Sequence, residues 1–263
     1  MISIDKKLCI GCGACAADCL LDNIHLEDGK AVFGERCIGC GHCVAVCPVK
    51  AVSIPSYDME DVEEYDQETF VLKPEQYLHA VKFRRSIRSY ENRPVEEEKL
   101  EQILQAGRYT PTAANRQACR FYVVKEQLPE WKEQVWKALP TVIELLWSEN
   151  GKMAVRFEQF LEEHKKDPKR DSLFFQAPVF LAVEAPDSFD AGLAAANMEN
   201  MAVAQGLGVL YSGYLTRIIG ESQELKQWLG LSDRAPAICM LLGYPSVNYK
   251  RTAPRKPADI VRK

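Results

Sequence analysis

Eight of the ten cysteines lie near the start of the chain, at a spacing that suits a metal centre. The motif C-x2-C-x2-C-x3-C occurs twice, and its members are Cys9, Cys12, Cys15, Cys19, Cys37, Cys40, Cys43 and Cys47. Three thiolates at three-residue spacing wrap a loop around one cube of iron and sulfide, and the fourth thiolate reaches the other cube. The expected ligand sets are Cys9, Cys12 and Cys15 with Cys47, and Cys37, Cys40 and Cys43 with Cys19.

The two motifs belong to an internal repeat. A shift of 28 positions carries the first set of cysteines onto the second, Gly11 onto Gly39 and Gly13 onto Gly41. Such a repeat indicates one structural unit used twice about a pseudo-twofold axis. Zinc is the alternative occupant, but zinc favours two separated pairs of ligands and would leave half of these thiolates unused. The remaining two cysteines, Cys119 and Cys239, stand alone in apolar surroundings and are expected to be small buried side chains.

Basic and polar clusters occur farther along the chain. Arg84, Arg85, Ser86 and Arg88 place three guanidinium groups and a hydroxyl within five residues, which suits either an anion clamp or a solvated basic patch. A polar loop follows a predicted helix, and amides and hydroxyls there could hold a heteroaromatic ring by its edge. Its candidate binding residues are Pro111, Thr112, Ala113, Asn115 and Gln117. The glycine-rich stretch 206–214 would bring backbone N–H groups close to a ring at Ser212 and Gly213, and Arg251 and Arg255 form a second basic group.

The elements that must position these residues alternate between helix and strand. Apolar periodicity predicts an amphipathic helix over 96–109 and a helix that is apolar nearly all round, hence buried, over 190–206. Runs of β-branched, aromatic and other apolar residues predict strands. The strands are expected over 119–125, 178–184 and 237–242, and two further helices over 130–148, with a break or kink at Pro140, and over 152–165. The predicted class is α+β without a regular βαβ rhythm.

Composition and charge limit the classes of function that the chain can have. The 263 residues divide into a cysteine-rich segment 1–55, an acidic segment 56–73 with seven acids and one lysine, and a third part, 74–263. A net charge of −4 gives no indication of nucleic-acid binding. No apolar run approaches the roughly 18 residues of a membrane span, and the N-terminus has no export signal. These features predict a cytoplasmic protein that keeps its thiols reduced.

Two resemblances add to these inferences. Residues 1–55 resemble the bacterial two-cluster 4Fe–4S ferredoxins, which implies low-potential, one-electron transfer. Residues 80–256 are similar to the FMN-dependent nitroreductase family. The residues that carry this similarity are Arg84-Arg85-Ser86-Ile87-Arg88, Pro111 with Asn115 and Gln117, the helix that leads to Gly206-Leu207-Gly208, and Gly243-Tyr244-Pro245.

The nitroreductase resemblance implies an intertwined homodimer with an FMN at each of two interface sites. Arg84, Ser86, Arg88 and either Arg251 or Arg255 would hold the phosphate and ribityl chain. Pro111, Thr112, Ala113 and Asn115, contributed by the partner subunit, would line the isoalloxazine, and Ser212 and Gly213 would offer backbone groups to its reactive edge. Some family members place a glutamate where this chain has Gly213, so proton delivery would come from water or substrate.

The sequence thus predicts an iron–sulfur flavoprotein oxidoreductase from an anaerobic host. Its donor would be an external ferredoxin or NAD(P)H, and its acceptor a nitroaromatic, a quinone or another conjugated molecule. No G-x-G-x-x-G motif supports a dinucleotide-binding domain, and none of the four histidines falls in a motif. The open alternatives are an electron-transfer module that holds FMN without substrate turnover, a redox sensor, and another enzyme of the same fold, such as a reductive dehalogenase or a flavin-fragmenting enzyme.

Overall fold

A computed structural model describes residues 2–263, and these residues form two compact units. The first unit contains the chain through Val71 together with Thr112–Arg116. The second contains Leu72–Pro111 and Gln117–Lys263. Residues 112–116 therefore pack with the N-terminal unit, although they are flanked in sequence by residues of the second unit.

The first unit is built from short elements that follow the 28-residue repeat. In chain order they are β1 (Ser3–Ile4), α1 (Ala14–Ala17), β2 (Ile24–Glu27), β3 (Lys30–Phe33), α2 (His42–Ala45), β4 (Val52–Ser53) and α3 (Gln67–Phe70). Helices α1 and α2 superpose under the same shift as the cysteines. Strand β1 pairs antiparallel with β4, and β2 forms a hairpin with β3. The core of this unit is small, and three of its buried residues are the cysteines Cys9, Cys15 and Cys43.

The second unit is an antiparallel sheet covered by helices on both faces. Its elements are α4 (Pro74–Phe83), α5 (Glu97–Arg108), β5 (Arg120–Val124), α6 (Leu128–Glu149), α7 (Gly151–Lys166), β6 (Val179–Glu184), α8 (Ser188–Ala204), β7 (Gly208–Tyr211), α9 (Gly213–Glu221), α10 (Gln223–Leu229) and β8 (Ile238–Gly243). The strand order is β5-β6-β8-β7, and every neighbouring pair is antiparallel. The class is α+β, as predicted.

Side-chain alternation along the strands separates two cores. On β6, Phe180 and Ala182 pack with residues of α6, α7 and α9, whereas Val179, Leu181 and Val183 pack with residues of α5 and α8. Successive residues of a strand point to opposite faces, so a sheet covered on both sides needs apolar residues at every position. All six residues of β6 are accordingly buried.

The break that Pro140 could have introduced is absent, because α6 is one continuous helix through that residue. A strand within the glycine-rich stretch 206–214 was not predicted, yet Gly208–Tyr211 forms the edge strand β7, and Gly213 begins α9. Four apolar and aromatic residues are enough for an edge strand when β8 supplies the hydrogen bonds.

The expectation that the two isolated cysteines are buried holds for Cys239 but was wrong for Cys119, which is only partly buried because it lies just before the edge strand β5. Cys239 is fully buried, and burial raises the pKa of its thiol to about 12. Trp131, Phe157 and Phe160 lie wholly inside the larger core. None of the helices within residues 2–263 combines the length and the apolarity needed to cross a membrane.

Candidate functional site

Four cysteines of the first unit line one cavity. Cys9, Cys12, Cys15 and Cys47 line it together with Gly11, Gly13 and apolar side chains. Cys47 comes from the second half of the repeat, so the cavity combines ligands from both halves in the predicted set. Among residues 2–263, no three His, Cys, Asp or Glu side chains converge on one point as the ligands of a single metal ion do. Thiols spread around a cavity fit a multi-iron cluster.

The electrostatic interactions among the thiols support the grouping of these four cysteines around one site. Burial raises the pKa of Cys15, and the neighbouring Cys12 and Cys47 raise it further. Backbone N–H groups of Ala31 and Gly11 lower the pKa of Cys9 by stabilising its thiolate. A cavity that gathers mutually repelling thiolates and supplies N–H donors to sulfur suits a cationic iron centre.

The second cysteine loop follows a similar plan. Burial raises the pKa of Cys43 to about 11, with further increases from Cys40 and Cys37. The Gly39 N–H donates a hydrogen bond to Cys37 Sγ at 3.2 Å. Three thiols of the predicted second ligand set are thus brought together. The assignment of Cys19 to this set rests on the spacing rule alone and stays a prediction.

The polar segment 112–116 lies against this second loop. The Asn115 amide nitrogen donates to the carbonyl oxygens of Gly39 at 2.9 Å and Ile38 at 3.2 Å. Ala114 and Asn115 both adopt left-handed backbone conformations, at φ 52° and 51°. Such conformations cost alanine free energy and persist where surrounding contacts hold them. Sequence reasoning placed this segment against a ring and had no signal for its packing beside Ile38.

In the second unit, Arg84 is held by a buried carboxylate. Its guanidinium Nη1 lies 3.0 Å from Oε1 of Glu199 on α8, whose side chain is only 8% exposed. Burial raises the pKa of Glu199, and Arg84 opposes that rise. Sequence reasoning missed Glu199, although a single charged residue within the apolar stretch 191–204 is a signal for a buried ion pair.

The rest of the basic motif runs along the edge of the sheet. Ser86 forms a parallel bridge with Val209 of β7, and the Ile87 N–H donates to the Val209 carbonyl at 3.1 Å. Gly208 permits this approach, because a Cβ at that position would lie 2.4 Å from the Ile87 side chain. The basic motif is thereby held against Val209, which lies three residues before Ser212 in the sequence.

Ser212 and Gly213 begin helix α9. The Ser212 hydroxyl caps the helix by accepting the Leu215 N–H at 3.3 Å, and nothing occupies the space beside the Gly213 Cα where a side chain would project. Arg88, Arg251 and Arg255 are exposed. Guanidinium groups and a hydroxyl within one short segment are donors that fit a phosphate. Ser86 bridges Val209, three residues before Ser212, whereas Thr112, Ala113 and Asn115 belong to the first unit.

Comparison with known families gives two matches. The model of the Nitroreductase family matches residues 81–244, and the model of a 4Fe-4S dicluster domain matches residues 2–54. A comparison with curated proteins found no match.

Solved structures share the fold of the second unit. A nitroreductase with bound FMN from Bacteroides fragilis is 22% identical, with a TM-score of 0.54 over 71% of this chain and 99% of its own. A nitroreductase with bound FMN from Desulfitobacterium hafniense is 20% identical, with a TM-score of 0.52 over 71% of this chain and 98% of its own. A BluB-like flavoprotein from Clostridium difficile is 17% identical, with a TM-score of 0.52 over 73% and 100%. At these identities the similarity establishes the fold alone.

Proposed function

The chain belongs to the nitroreductase family and carries a 4Fe-4S dicluster domain at its N-terminus, and from this premise we propose its reaction. It is an oxidoreductase that draws electrons from an external low-potential donor through two 4Fe–4S clusters to FMN. The electrons then pass to an organic acceptor, such as a nitroaromatic or a quinone. When bound, the clusters carry single electrons and FMN converts them to pairs.

The observation that carries this proposal is the cavity lined by Cys9, Cys12, Cys15 and Cys47. Its lining takes three cysteines from the first half of the repeat and one from the second, which is the three-plus-one pattern of a two-cluster domain. Crossed ligation brings two clusters into one small unit, as the two-cluster spacing rule requires. An N-terminal electron carrier fused to a flavin fold gives the flavin an electron source within the same chain.

At the flavin, the side chains bind and orient. Arg84, Ser86 and Arg88, with Arg251 or Arg255, would hold the phosphate and ribityl chain, and Arg85 adds to the positive charge. The Glu199 carboxylate fixes the direction of the Arg84 guanidinium before any ligand arrives. Preorganising a donor in this way reduces the entropy that binding must overcome.

The ring would be bound by backbone and amide groups. Pro111, Thr112, Ala113, Asn115 and Gln117 are its candidate lining residues from the resemblance, and the backbone at Ser212 and Gly213 would face its reactive edge. With open space beside Gly213, the chain supplies no side-chain acid there, and a proton would come from water or substrate.

The active form that we propose is a homodimer in the cytoplasm. Exposed apolar side chains on α4 support a covered surface, because Tyr77, Leu78 and Val81 lie at helical spacing and apolar faces of this kind mark interaction sites. The donor would be a ferredoxin or NAD(P)H, and residues 56–71 of the acidic segment belong to the first unit.

The test is a cofactor assay on anaerobically purified protein, followed by turnover. We expect about eight irons, the number that two cubes require, and one FMN per chain. Dithionite-reduced ferredoxin and NADPH would then be compared as donors to nitroaromatic and quinone acceptors. Full iron without flavin, and no flavin uptake on adding FMN, would contradict the proposal of an enzyme. An electron carrier or a redox sensor would then remain. Flavin reduction without acceptor turnover would identify an electron-transfer module.

Matched cysteine variants sharpen this test. Cys47→Ser removes a proposed ligand and should lower iron by about half, from two cubes to one. Cys119→Ser changes a half-buried cysteine outside the motifs and should retain full iron. Equal iron in both variants would contradict the role of Cys47.

A further inference from the structure

Asn115 contacts the peptide that donates a hydrogen bond to a cluster ligand. Its amide nitrogen donates to the carbonyl of Ile38, and the N–H of that same peptide belongs to Gly39. The Gly39 N–H in turn donates to Cys37 Sγ at 3.2 Å. A chain of two hydrogen bonds therefore runs from the Asn115 amide, through one peptide group, to a ligand sulfur.

Such a chain strengthens its last bond. A carbonyl that accepts a hydrogen bond polarises its peptide, and the N–H on the other side becomes a better donor. Hydrogen bonds to the ligand sulfurs are one of the levers that set the potential of an iron–sulfur cluster, because they stabilise the more negative, reduced state. The Asn115 amide also donates to the Gly39 carbonyl at 2.9 Å, and only the NH₂ side of an amide can satisfy two carbonyl oxygens.

We propose that Asn115 is a positioning residue that raises the reduction potential of the cluster bound by Cys37, Cys40 and Cys43. The proposal rests on the proposed function, since it requires a cluster at these cysteines. Asn115 lies outside the cysteine repeat and contacts the second loop, so it differentiates two sites that the repeat would otherwise make alike. Because the two carbonyls use both N–H bonds of the amide, the flavin contact expected from the resemblance would be left to Oδ1.

The first loop offers a matched reference. Lys30 Nζ donates to the Cys9 carbonyl at 2.5 Å, which places a cation beside the first cluster site. The Ala31 N–H points to Cys9 Sγ at 3.5 Å. Because Lys30 contacts the first loop and Asn115 the second, substitutions at the two positions should change different clusters.

The test measures reduction of each cluster by low-temperature EPR on holoprotein poised at fixed ambient potentials. Asn115→Gly removes the amide while tolerating the left-handed backbone at φ 51°. We expect the reduced-to-oxidised ratio of one cluster to fall roughly two- to fourfold, because a bond to a charged sulfur loses a tenth to a third of its strength. Asn115→Asp, an isosteric change that adds negative charge, should lower the same ratio further.

Lys30→Met assigns the signals. It should lower the reduced fraction of the other cluster and leave the Asn115-sensitive one unchanged. An unchanged ratio in Asn115→Gly at full iron content would overturn the proposal, as would equal shifts of both clusters. Iron well below about eight per chain in the wild-type protein would instead overturn the proposed function, so the two failures are distinguishable.

Discussion

The two cysteine loops share their ligand spacing but differ in what surrounds them. Gly11 of the first loop faces the carbonyl of Gly29, in the turn between β2 and β3. Gly39 of the second loop faces the Tyr57 hydroxyl, and its carbonyl accepts a hydrogen bond from Asn115. The ligand spacing is therefore a local property that the repeat copies. The surroundings of the two loops differ in residue type at the equivalent positions 29 and 57, and in the contact from Asn115, which lies outside the repeat.

Some contacts with sulfur do follow the repeat. The Asn23 N–H donates to Cys19 Sγ at 3.4 Å, and at the equivalent position the Ala51 N–H donates to Cys47 Sγ at 3.2 Å. Each crossing cysteine is thus oriented by the backbone four residues later. The loops differ in the groups that face them, a backbone carbonyl at Gly11 and side chains at Gly39, and substitutions can test these differences one at a time.

The largest effect should come from removing iron, because both cysteine loops then lose the clusters that they surround. Three of the seven buried residues in the core of the first unit are cysteines, so little apolar packing remains without the clusters. Metal-binding free energy then acts as folding free energy. We expect chelated protein to exchange the backbone amides of residues 2–54 at nearly unfolded rates, while β6 keeps its protection. Hydrogen exchange followed by mass spectrometry measures both regions in one sample.

Reconstitution with iron and sulfide is the control and should restore protection in residues 2–54. A hairpin β2–β3 that stays protected in the iron-free protein would contradict this expectation, because it would show a unit that folds on its apolar contacts alone.

A smaller but still strong effect should distinguish the two glycines. A Cβ at Gly11 would lie 2.1 Å from the Gly29 carbonyl oxygen, a backbone atom, at φ 70°. A Cβ at Gly39 would lie 2.8 Å from the Tyr57 hydroxyl, the end of a side chain. Gly11→Ala should cost both left-handed strain and overpacking, about 2–5 kcal/mol together, and lose one cluster. Gly39→Ala should keep both clusters and unfold at a moderately lower temperature.

Iron content and the thermal loss of cluster absorbance measure this difference. The double variant Gly39→Ala with Tyr57→Phe should recover part of the lost thermal stability, because the hydroxyl that blocks the Cβ is removed. Equal iron losses in Gly11→Ala and Gly39→Ala would show that left-handed strain, common to both, outweighs the surroundings.

The sequence predicted what depends on local pattern. The repeat predicted one structural unit used twice, and the short helices α1 and α2 indeed occupy equivalent positions. The strands β5, β6 and β8 lie within a residue or two of their predicted bounds. Strand β7 was missed because its glycine-rich sequence resembles a loop and its pairing partner, β8, lies about 30 residues away. Continuous helix through Pro140 was missed because packing of α6 on the core outweighs one lost hydrogen bond.

The contact of Asn115 with the second loop could not be predicted in the same way. Its partner carbonyls are 76 and 77 residues distant in sequence, and a backbone carbonyl carries no sequence signal of its own. The segment 112–116 had a composition suited to hydrogen bonding, which the sequence did show. Which groups it would bond depends on the packing of the first unit.

A moderate effect is expected at Asn23, where the halves of the repeat differ in side chain. Asn23 Oδ1 accepts the Arg36 N–H at 2.9 Å, and Nδ2 donates to the Gly34 carbonyl at 3.3 Å. Asn23→Ala removes both hydrogen bonds and should lower the free energy of unfolding by about 1–3 kcal/mol in total. Asn23→Asp keeps the acceptor and should cost less. The thermal loss of cluster absorbance ranks the two variants, and the reverse order would contradict the role of Oδ1.

The smallest effect concerns Asp22 and Lys50, which occupy equivalent positions and both adopt left-handed conformations, at φ 49° and 53°. Aspartate tolerates this region better than lysine, so Lys50 carries more strain. Lys50→Gly should relieve about 1–2 kcal/mol of strain but add about 0.5–1 kcal/mol of unfolded-state entropy. It also removes an exposed ion pair with Glu64 that contributes about 0–1 kcal/mol.

The net expectation is a gain of roughly 0.5 kcal/mol for Lys50→Gly and almost no change for Asp22→Gly. Glu64→Gln isolates the ion pair and allows its contribution to be subtracted. Thermal loss of the cluster absorbance measures all three variants under one condition. Equal responses at positions 22 and 50 would mean that the repeated backbone, and not the residue type, sets the strain. The difference between the halves would then be confined to contacts made by side chains from outside the repeat.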